Sequence, residues 1–475
     1  MKKYFRFPVI FLFSLLLMVH AAAERPNYTI WSPRGHSPQF AQPKETVEVE
    51  VRANRQLPLS AWKASLKNDL RSWPASINSV KHGKIHNETE EGYLFNVQVP
   101  ADISPELFTL VLSHADAGTT ESLRSISVLR DPEQSFYILQ ATDEHVKGAK
   151  AVRPDGKSHL QYGNGSVDMR NWAAPVINLI NPRFVAYTGD NAHIYNEAQS
   201  WPGLQGAAAI LTRYRDSMAA YTVPTFVATG NHDIGFPPYA QNAQWRQRYE
   251  DIMGERAFSR RMGSFYVLCN EWTQRDYFEW AQDDYDTSFF DSGISYRLIC
   301  QHFFDGLNKP TTLPDEMFPC DLEIVGHNHK ISTLQNDPYV VLSSVTSQGY
   351  NRVSYFEFKK SQNGWTCPQA DNGRRAMDVF PLFDDWGHNR KVSESFARPN
   401  DGTAQSNRAL IHNGIEQDFY DGRVRFLMAQ GDYAVNGGEI LSQYDYGQGH
   451  TAVLVKVDIK PSADVAVEIS RKDSK

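Results

Sequence analysis

The sequence predicts an α/β core set between two all-β modules. Three observations carry this. Strand and helix patterns alternate from about Phe136 to Phe358. Period-two alternation with turn residues precedes that stretch and returns after it. The chain has 475 residues, which at ~150 residues per domain means about three domains rather than one small core. Composition sets the outer limits. Hydrophobic residues are 41%, charged residues 22%, and the mean hydropathy is -0.49. Those values exclude a disordered chain and a multi-span membrane protein. A net charge of -7 leaves no overall basic excess to bind nucleic-acid phosphates.

The chain opens with Lys2, Lys3 and Arg6, then the apolar run Val9 to Val19, then Ala21-Ala22-Ala23. This is the layout of a secretory signal peptide over residues 1–23. Its removal would take three positive charges and no acids, moving -7 to -10. No later stretch reaches the ~18 apolar residues of a membrane span. The expectation is a chain exported to the periplasm or the medium, with no stable span afterwards. Residues 24–130 carry the runs Thr46–Val51, Tyr93–Val97 and Leu107–Leu112, broken by Pro, Asn, Gly and Ser. They predict a β-sandwich of immunoglobulin or fibronectin type, and Asp131-Pro132 is a natural joint.

Residues 136–358 begin with the strand Phe136–Ala141. Trp172, Val176 and Ile180 recur at helical spacing over Val167–Ile180, and Pro175 either kinks that helix or marks its start. Arg183–Thr188 is the next strand, Leu204–Tyr221 a second amphipathic helix and Val223–Thr229 another strand. Strands at Ser264–Leu268, Tyr296–Cys300, Leu322–Val325 and Tyr339–Leu342 follow. The pattern is that of an α/β layered core. Residues 359–475 return to alternation, as in Val424–Met428 and Thr451–Val457, and predict a second β module. Four cysteines, Cys269, Cys300, Cys320 and Cys367, contain no CxxC pair. Cys269 and Cys300 lie in apolar runs suited to buried thiols, and any pairing is left open by sequence.

The chemistry sits in the middle stretch. Five clusters follow strand ends in order: Asp143-Glu144-His145, Gly189-Asp190-Asn191, Gly230-Asn231-His232-Asp233, His302, and Gly326-His327-Asn328-His329. Open α/β sheets place their sites at the carboxyl ends of strands. Carboxylate, amide oxygen and imidazole are the ligands of hard or borderline divalent metals. Gly189, Gly230 and Gly326 each precede the first ligand of a cluster, where glycine allows a sharp turn and leaves room. A lone His-x-His is a weak signal. Gly-Asn-His-Asp and the order of all five clusters are together far more specific.

On these motifs the middle stretch resembles the calcineurin-like metallophosphoesterases, whose pattern is D-x-H, GD, GNH-[DE], a lone H and GH-x-H. Gly349–Val353 resembles the lead into that domain's return strand. The flanking modules resemble accessory domains of exported bacterial members. The resemblance implies a four-layer α/β/β/α sandwich and two metal ions, manganese, iron, zinc or cobalt. Asp143, His145 and His329 would hold the first metal; Asn231, His302 and His327 the second; Asp190 would bridge them. A metal-bridging hydroxide would attack phosphorus, and His232 would protonate the leaving oxygen. Asp233 has two readings, orienting His232 or capping a helix. The related purple acid phosphatases carry a tyrosine ligand where His193 stands, so the resemblance is to the other branch. His193 and Asn231 are the candidate substrate contacts, His193 being equally a plain loop residue.

Four segments should rim the site, with His193, Tyr195, Trp201, Phe236, Tyr239, Trp272, Tyr277, Phe278, Trp280 and Tyr285 among them. These aromatics either stack a base or sugar or pack within the loops. Asp283–Asp286 is acidic and reads as a solvated loop that would repel polyanions if it faced the site. The expected partner is a small phosphate ester, not a nucleic-acid duplex. Monoester, diester and nucleotide pyrophosphate cleavage share this metal core. A reading of another class is a binding protein on a retired scaffold. Retirement should remove ligands or His232, and none is missing.

Overall fold

The computed structural model describes residues 28–53, 56–85, 90–148, 165–194, 203–234, 240–271, 291–302, 320–327, 329, 332–333, 340–342, 352–371, 378–383 and 389–472. The expected leader, the Asp283–Asp286 run and the segment 349–351 lie outside the described residues, as do the rim aromatics other than His193. Strand dominates the described structure, with few helices. Among the described residues no helix is long and apolar enough to cross a membrane.

The N-terminal module is built by alternation. Thr46–Ala53 buries Val47, Val49 and Val51 on one side and leaves Thr46 and Glu48 exposed. It pairs with Tyr28–Ser32 and Glu90–Gln98, while Trp62–Lys67, Leu107–His114 and Gly118–Val128 form a second set. The long strand Ser72–Ile85 serves both: its start pairs with Trp62–Lys67 and the rest with Glu90–Gln98. Val49, Tyr93 and Phe95 from one set meet Leu66, Phe108 and Leu110 from the other in one core.

Two sheets make the middle of the molecule. In the first, Thr225–Ala228, Val185–Thr188 and Phe136–Ala141 run parallel, and Arg352–Ser361 pairs antiparallel with Phe136–Ala141. In the second, Phe265–Cys269, Tyr296–Cys300, Leu322–Val325 and Val340–Leu342 run parallel. Phe136 and Ile138 point toward the second sheet and join Phe265, Val267, Leu298 and Ile324. Tyr137, Leu139 and Ala141 point the other way, onto the helices Val167–Ile180 and Gly203–Ser217. With both faces covered, these strands read as continuous apolar runs. Pro175 lies inside its helix. It stands on the exposed side with Asn171, so the carbonyl it deprives of a partner can be hydrated. Cys269 and Cys300 are buried thiols in register on neighbouring parallel strands.

The middle sheet does not end at residue 358. The strand Arg352–Ser361 straddles that boundary, Gly364–Thr366 folds back on it, and Asp378–Pro381 pairs with its first residues. Alternation identifies a strand but not the sheet it joins, so the sequence boundary falls short. The strands from Val392 onward form the C-terminal sheets. Phe419, Val424 and Phe426 share one core with Tyr137, Tyr355 and the helix residues Val176 and Ile180.

The N-terminal module is fastened by the stretch between Ser32 and Ala41. His36 O accepts from Val227 N at 3.0 Å and Gly35 O from Thr225 Oγ1 at 2.7 Å. This covers the outer edge of the Thr225–Ala228 strand, which would otherwise expose unpaired backbone. Phe40 enters the core against Phe184 and Phe226, with centroids at 6.2 and 5.4 Å. Glu255 Oε2 accepts from Ser32 Oγ, Ser37 Oγ and Arg260 Nη2 at 3.0, 3.0 and 2.9 Å. His36 is 2% exposed, with Nε2 at 2.9 Å from Glu255 O. Burial pushes its pKa down to about 4. An unfolded chain takes up the proton first, so stability is lost as pH falls from about 6.5 toward about 4. Denaturant titrations should show a loss on the order of 3 kcal/mol over that window. His36→Gln should lack this part; an identical acid loss in His36→Gln would assign it to other groups.

Candidate metal centre

Each candidate ligand described lies just past the carboxyl end of a parallel strand. Asp143 and His145 follow Phe136–Ala141, Asp190 follows Val185–Thr188, and Asn231 follows Thr225–Ala228. His302 follows Tyr296–Cys300; His327 and His329 follow Leu322–Val325. The strand ladder continues into the loops and draws them together. Asp143 N donates to Gly189 O at 2.9 Å, His145 N to Asp190 O at 2.8 Å and Gly326 N to His302 O at 3.1 Å.

The backbone is contorted here. Asp143, His145, Asp190, His327 and His329 have φ of 54°, 47°, 51°, 69° and 50°. A non-glycine residue in that region costs roughly 1–2 kcal/mol, and such outliers gather at functional sites. The glycines answer a packing demand. A Cβ on Gly189, itself at φ 93°, would strike the His302 side chain at its Cβ, Cγ and Nδ1. One on Gly230 would strike the Asp190 backbone and carboxylate and reach His302 Cδ2 at 2.9 Å. One on Gly326 would strike Thr142 Oγ1 and reach Asp143 Oδ2 at 2.9 Å.

The side chains converge in two groups, Asp143 with His145 and His329, and Asp190 with His302 and His327; within each, the donor atoms lie within 4.8 Å of one another. His329 Nε2 is 3.2 Å from Asp143 Oδ1. Asp190 Oδ2 faces both groups, 3.2 Å from His302 Nε2 and 3.8 Å from His145 Nε2. Asn231 Oδ1 is buried and accepts no hydrogen bond among the described residues. It is an acceptor without a donor, which suits a cation. The residues present therefore fit metal: imidazoles, carboxylates and an amide oxygen at separations near those around ions with ~2 Å bonds.

Electrostatics agree with the chemistry. Burial opposes an ionised Asp190, yet His302 and His232 overcome it and hold its carboxyl well below the usual range. Burial also opposes the charged Asp143, which His329 and His302 hold below normal. Burial pushes His145 and His327 down to about 4, leaving neutral rings with a lone pair to offer. Burial works against charge on His302 too, but Asp190 lifts it to about 9.

His232, with its side chain 17% exposed, has Nε2 3.9 Å from Asp190 Oδ2. Its backbone N donates to Asp190 Oδ1 at 2.8 Å. His193, 3% exposed, stacks on the His232 ring at 4.3 Å and has Nδ1 at 3.0 Å from His145 Nδ1. Asp233 spends both carboxylate oxygens on amides, accepting from Ala192 N at 2.6 Å, Gly230 N at 2.9 Å and Asn191 N at 3.3 Å. Its expected catalytic place is thus a fastening of two loops, because these buried amides need an acceptor. Burial and Asp190 push it up to about 7, against the pull of those amides. Sequence reading gave Asn191 and Glu144 no task. Asn191 Nδ2 donates to Ala228 O at 2.8 Å and ties its loop to a strand. Glu144 pairs with Arg170, and the available signal was an arginine on the buried stripe of Ala174 and Ile177.

No family model and no curated protein matches the chain. Among the solved structures that are similar in part are the following two. A dimetal phosphatase from Danio rerio is 11% identical at a TM-score of 0.33, over 49% of this chain and 98% of that one. An amylomaltase from Corynebacterium glutamicum is 13% identical at a TM-score of 0.15, over 38% of this chain and 23% of that one. Likeness at this level decides neither fold nor activity. The glycine packing gives a direct test of the centre. Gly230→Ala should keep its far-UV circular dichroism yet bind manganese about tenfold more weakly or worse by calorimetry. Unchanged affinity would mean that the Asp190–His302 approach is not needed to hold metal.

Proposed function

We propose that the protein is an exported dinuclear-metal phosphoesterase acting on small phosphate esters. The observation that carries this reading is the position of the Asp190 carboxylate between the two ligand groups. Asp143, His145 and His329 would hold one ion, Asn231, His302 and His327 the other, and Asp190 both. Two such cations would supply Lewis acidity and lower the pKa of a bound water. Manganese, iron, zinc and cobalt all suit this donor set.

The chain's own residues do the rest. His232, with its side chain 17% exposed, stands beside Asp190 and would protonate a departing alkoxide. His193 stacked on its ring limits how far it can swing. Asn231 lies next to His232 in the same short helical turn and can orient phosphate oxygens. With a net charge of -7, or -10 without the leader, the protein's overall field repels anions. Attraction for phosphate must therefore be local to the centre.

The proposal extends to the architecture. Tyr266, Leu268 and Val325, on the face of the second sheet turned away from the first, are 1%, 0% and 0% exposed. That burial supports a fourth layer, completing an α/β/β/α sandwich. Export rests on the sequence of residues 1–23 and is tested by the mature N-terminus of protein recovered outside the cytoplasm.

Purified protein should hydrolyse a chromogenic monoester or diester with added manganese and lose that activity with chelator. No turnover of a broad phosphate-ester panel with both metals bound would favour a binding protein instead. His232→Ala should keep its metals and lose ~10²–10⁴-fold in turnover of an alkyl phosphate ester. Full activity of that variant would refute the general-acid role. Asp190→Asn should weaken both metals, and unaltered metal content by elemental analysis would refute the bridge.

A further inference from the structure

Glu144 is flanked by two candidate ligands, and its side chain is only 11% exposed. Its Oε2 accepts from Nη1 of Arg170, a side chain 0% exposed in the first turn of the Val167–Ile180 helix. The guanidinium sits 4.6, 4.3 and 5.3 Å from the rings of Tyr187, Tyr214 and Tyr221. Nε donates to Ser217 Oγ at 2.8 Å and Nη1 to the Tyr214 hydroxyl at 3.0 Å. One buried arginine thus joins the loop of Glu144 to a strand and two helices.

Such a pair is a poor way to gain stability, because a well-packed apolar set does as well or better. It is a good way to fix a direction. The residues on either side of Glu144 both have left-handed backbone, a conformation that persists only when its surroundings over-determine it. We propose that Arg170 is a positioning residue for one half of the metal centre. Acting through Glu144, it holds the loop that presents Asp143 and His145, and so sets the affinity of that half selectively. This rests on the dinuclear reading above.

The test is a manganese titration of the full chain, stripped with chelator and followed by calorimetry, with circular dichroism as a check on folding. The unaltered protein should show two sites. Glu144→Gln keeps the shape and removes the ion pair; it should weaken one site about 10–100-fold and leave the other within about threefold. Arg170→Met should do the same, and Arg170→Lys, which keeps the charge, should recover part of the loss. The Glu144→Gln/Arg170→Met double variant should be no weaker than the worse single variant, since the two act in series. Equal weakening of both sites, or none, in folded Glu144→Gln overturns the proposal. If Arg170→Met does not fold, Glu144→Gln decides alone. Fewer than two sites in the unaltered protein overturns the dinuclear reading and this proposal together. Two sites with Glu144→Gln unaffected overturns the proposal only.

Discussion

The Asp190 carboxylate is the constraint around which the middle of the molecule is arranged. It is 1% exposed, and an ionised carboxylate taken from water must be surrounded by positive charge or donors. His302 and His145 flank one oxygen, and the His232 backbone N donates to the other. To bring these groups so close, three strands of one sheet and two of the other must end at the same level. The loops must then turn inward with left-handed backbone. Gly189 and Gly230 follow from the same demand, since a methyl group at either position would occupy the volume of the His302 ring or of Asp190 itself.

The support behind that carboxylate is polar and rigid rather than apolar and compliant. Asp233 binds the Asn191–Ala192 loop to the Gly230 turn, Asn191 binds to the end of a strand, and Arg170 binds the Glu144 loop to two helices. Each bond is directional, so together they fix where the donor atoms lie. An apolar filling would give comparable stability without that definition. The residues that would hold a cation thus depend on a second set that aims them.

Much of this was legible in the sequence, and the limits have physical reasons. The five clusters were readable because metal chemistry restricts residue type and strand ends restrict spacing. The glycines were readable as turn formers, although their actual duty is to avoid specific rings and carboxylates, which needs coordinates. For Asp233 the sequence leaves two readings, orienting His232 or capping a helix, because adjacency says nothing about where a side chain turns; its oxygens go to amides of its own turn and of another loop. The boundary near residue 358 failed for a similar reason. Period-two alternation looks alike on the last strand of one sheet and the first of the next. Arg170 passed unnoticed because its partners are spread over four segments.

The strip of chain at Gly35 and His36 that closes the edge of the first middle sheet also bears on the order in which the protein assembles. The Gly35–Thr225 bond spans 190 residues of sequence. Contacts of such separation form late, because a long loop must close before they are rewarded. Until then Phe40 has no core to enter, and the Thr225–Ala228 strand has an open side able to pair with another chain. A closure over 190 residues therefore leaves that strand edge open to pairing with another chain until the N-terminal module docks.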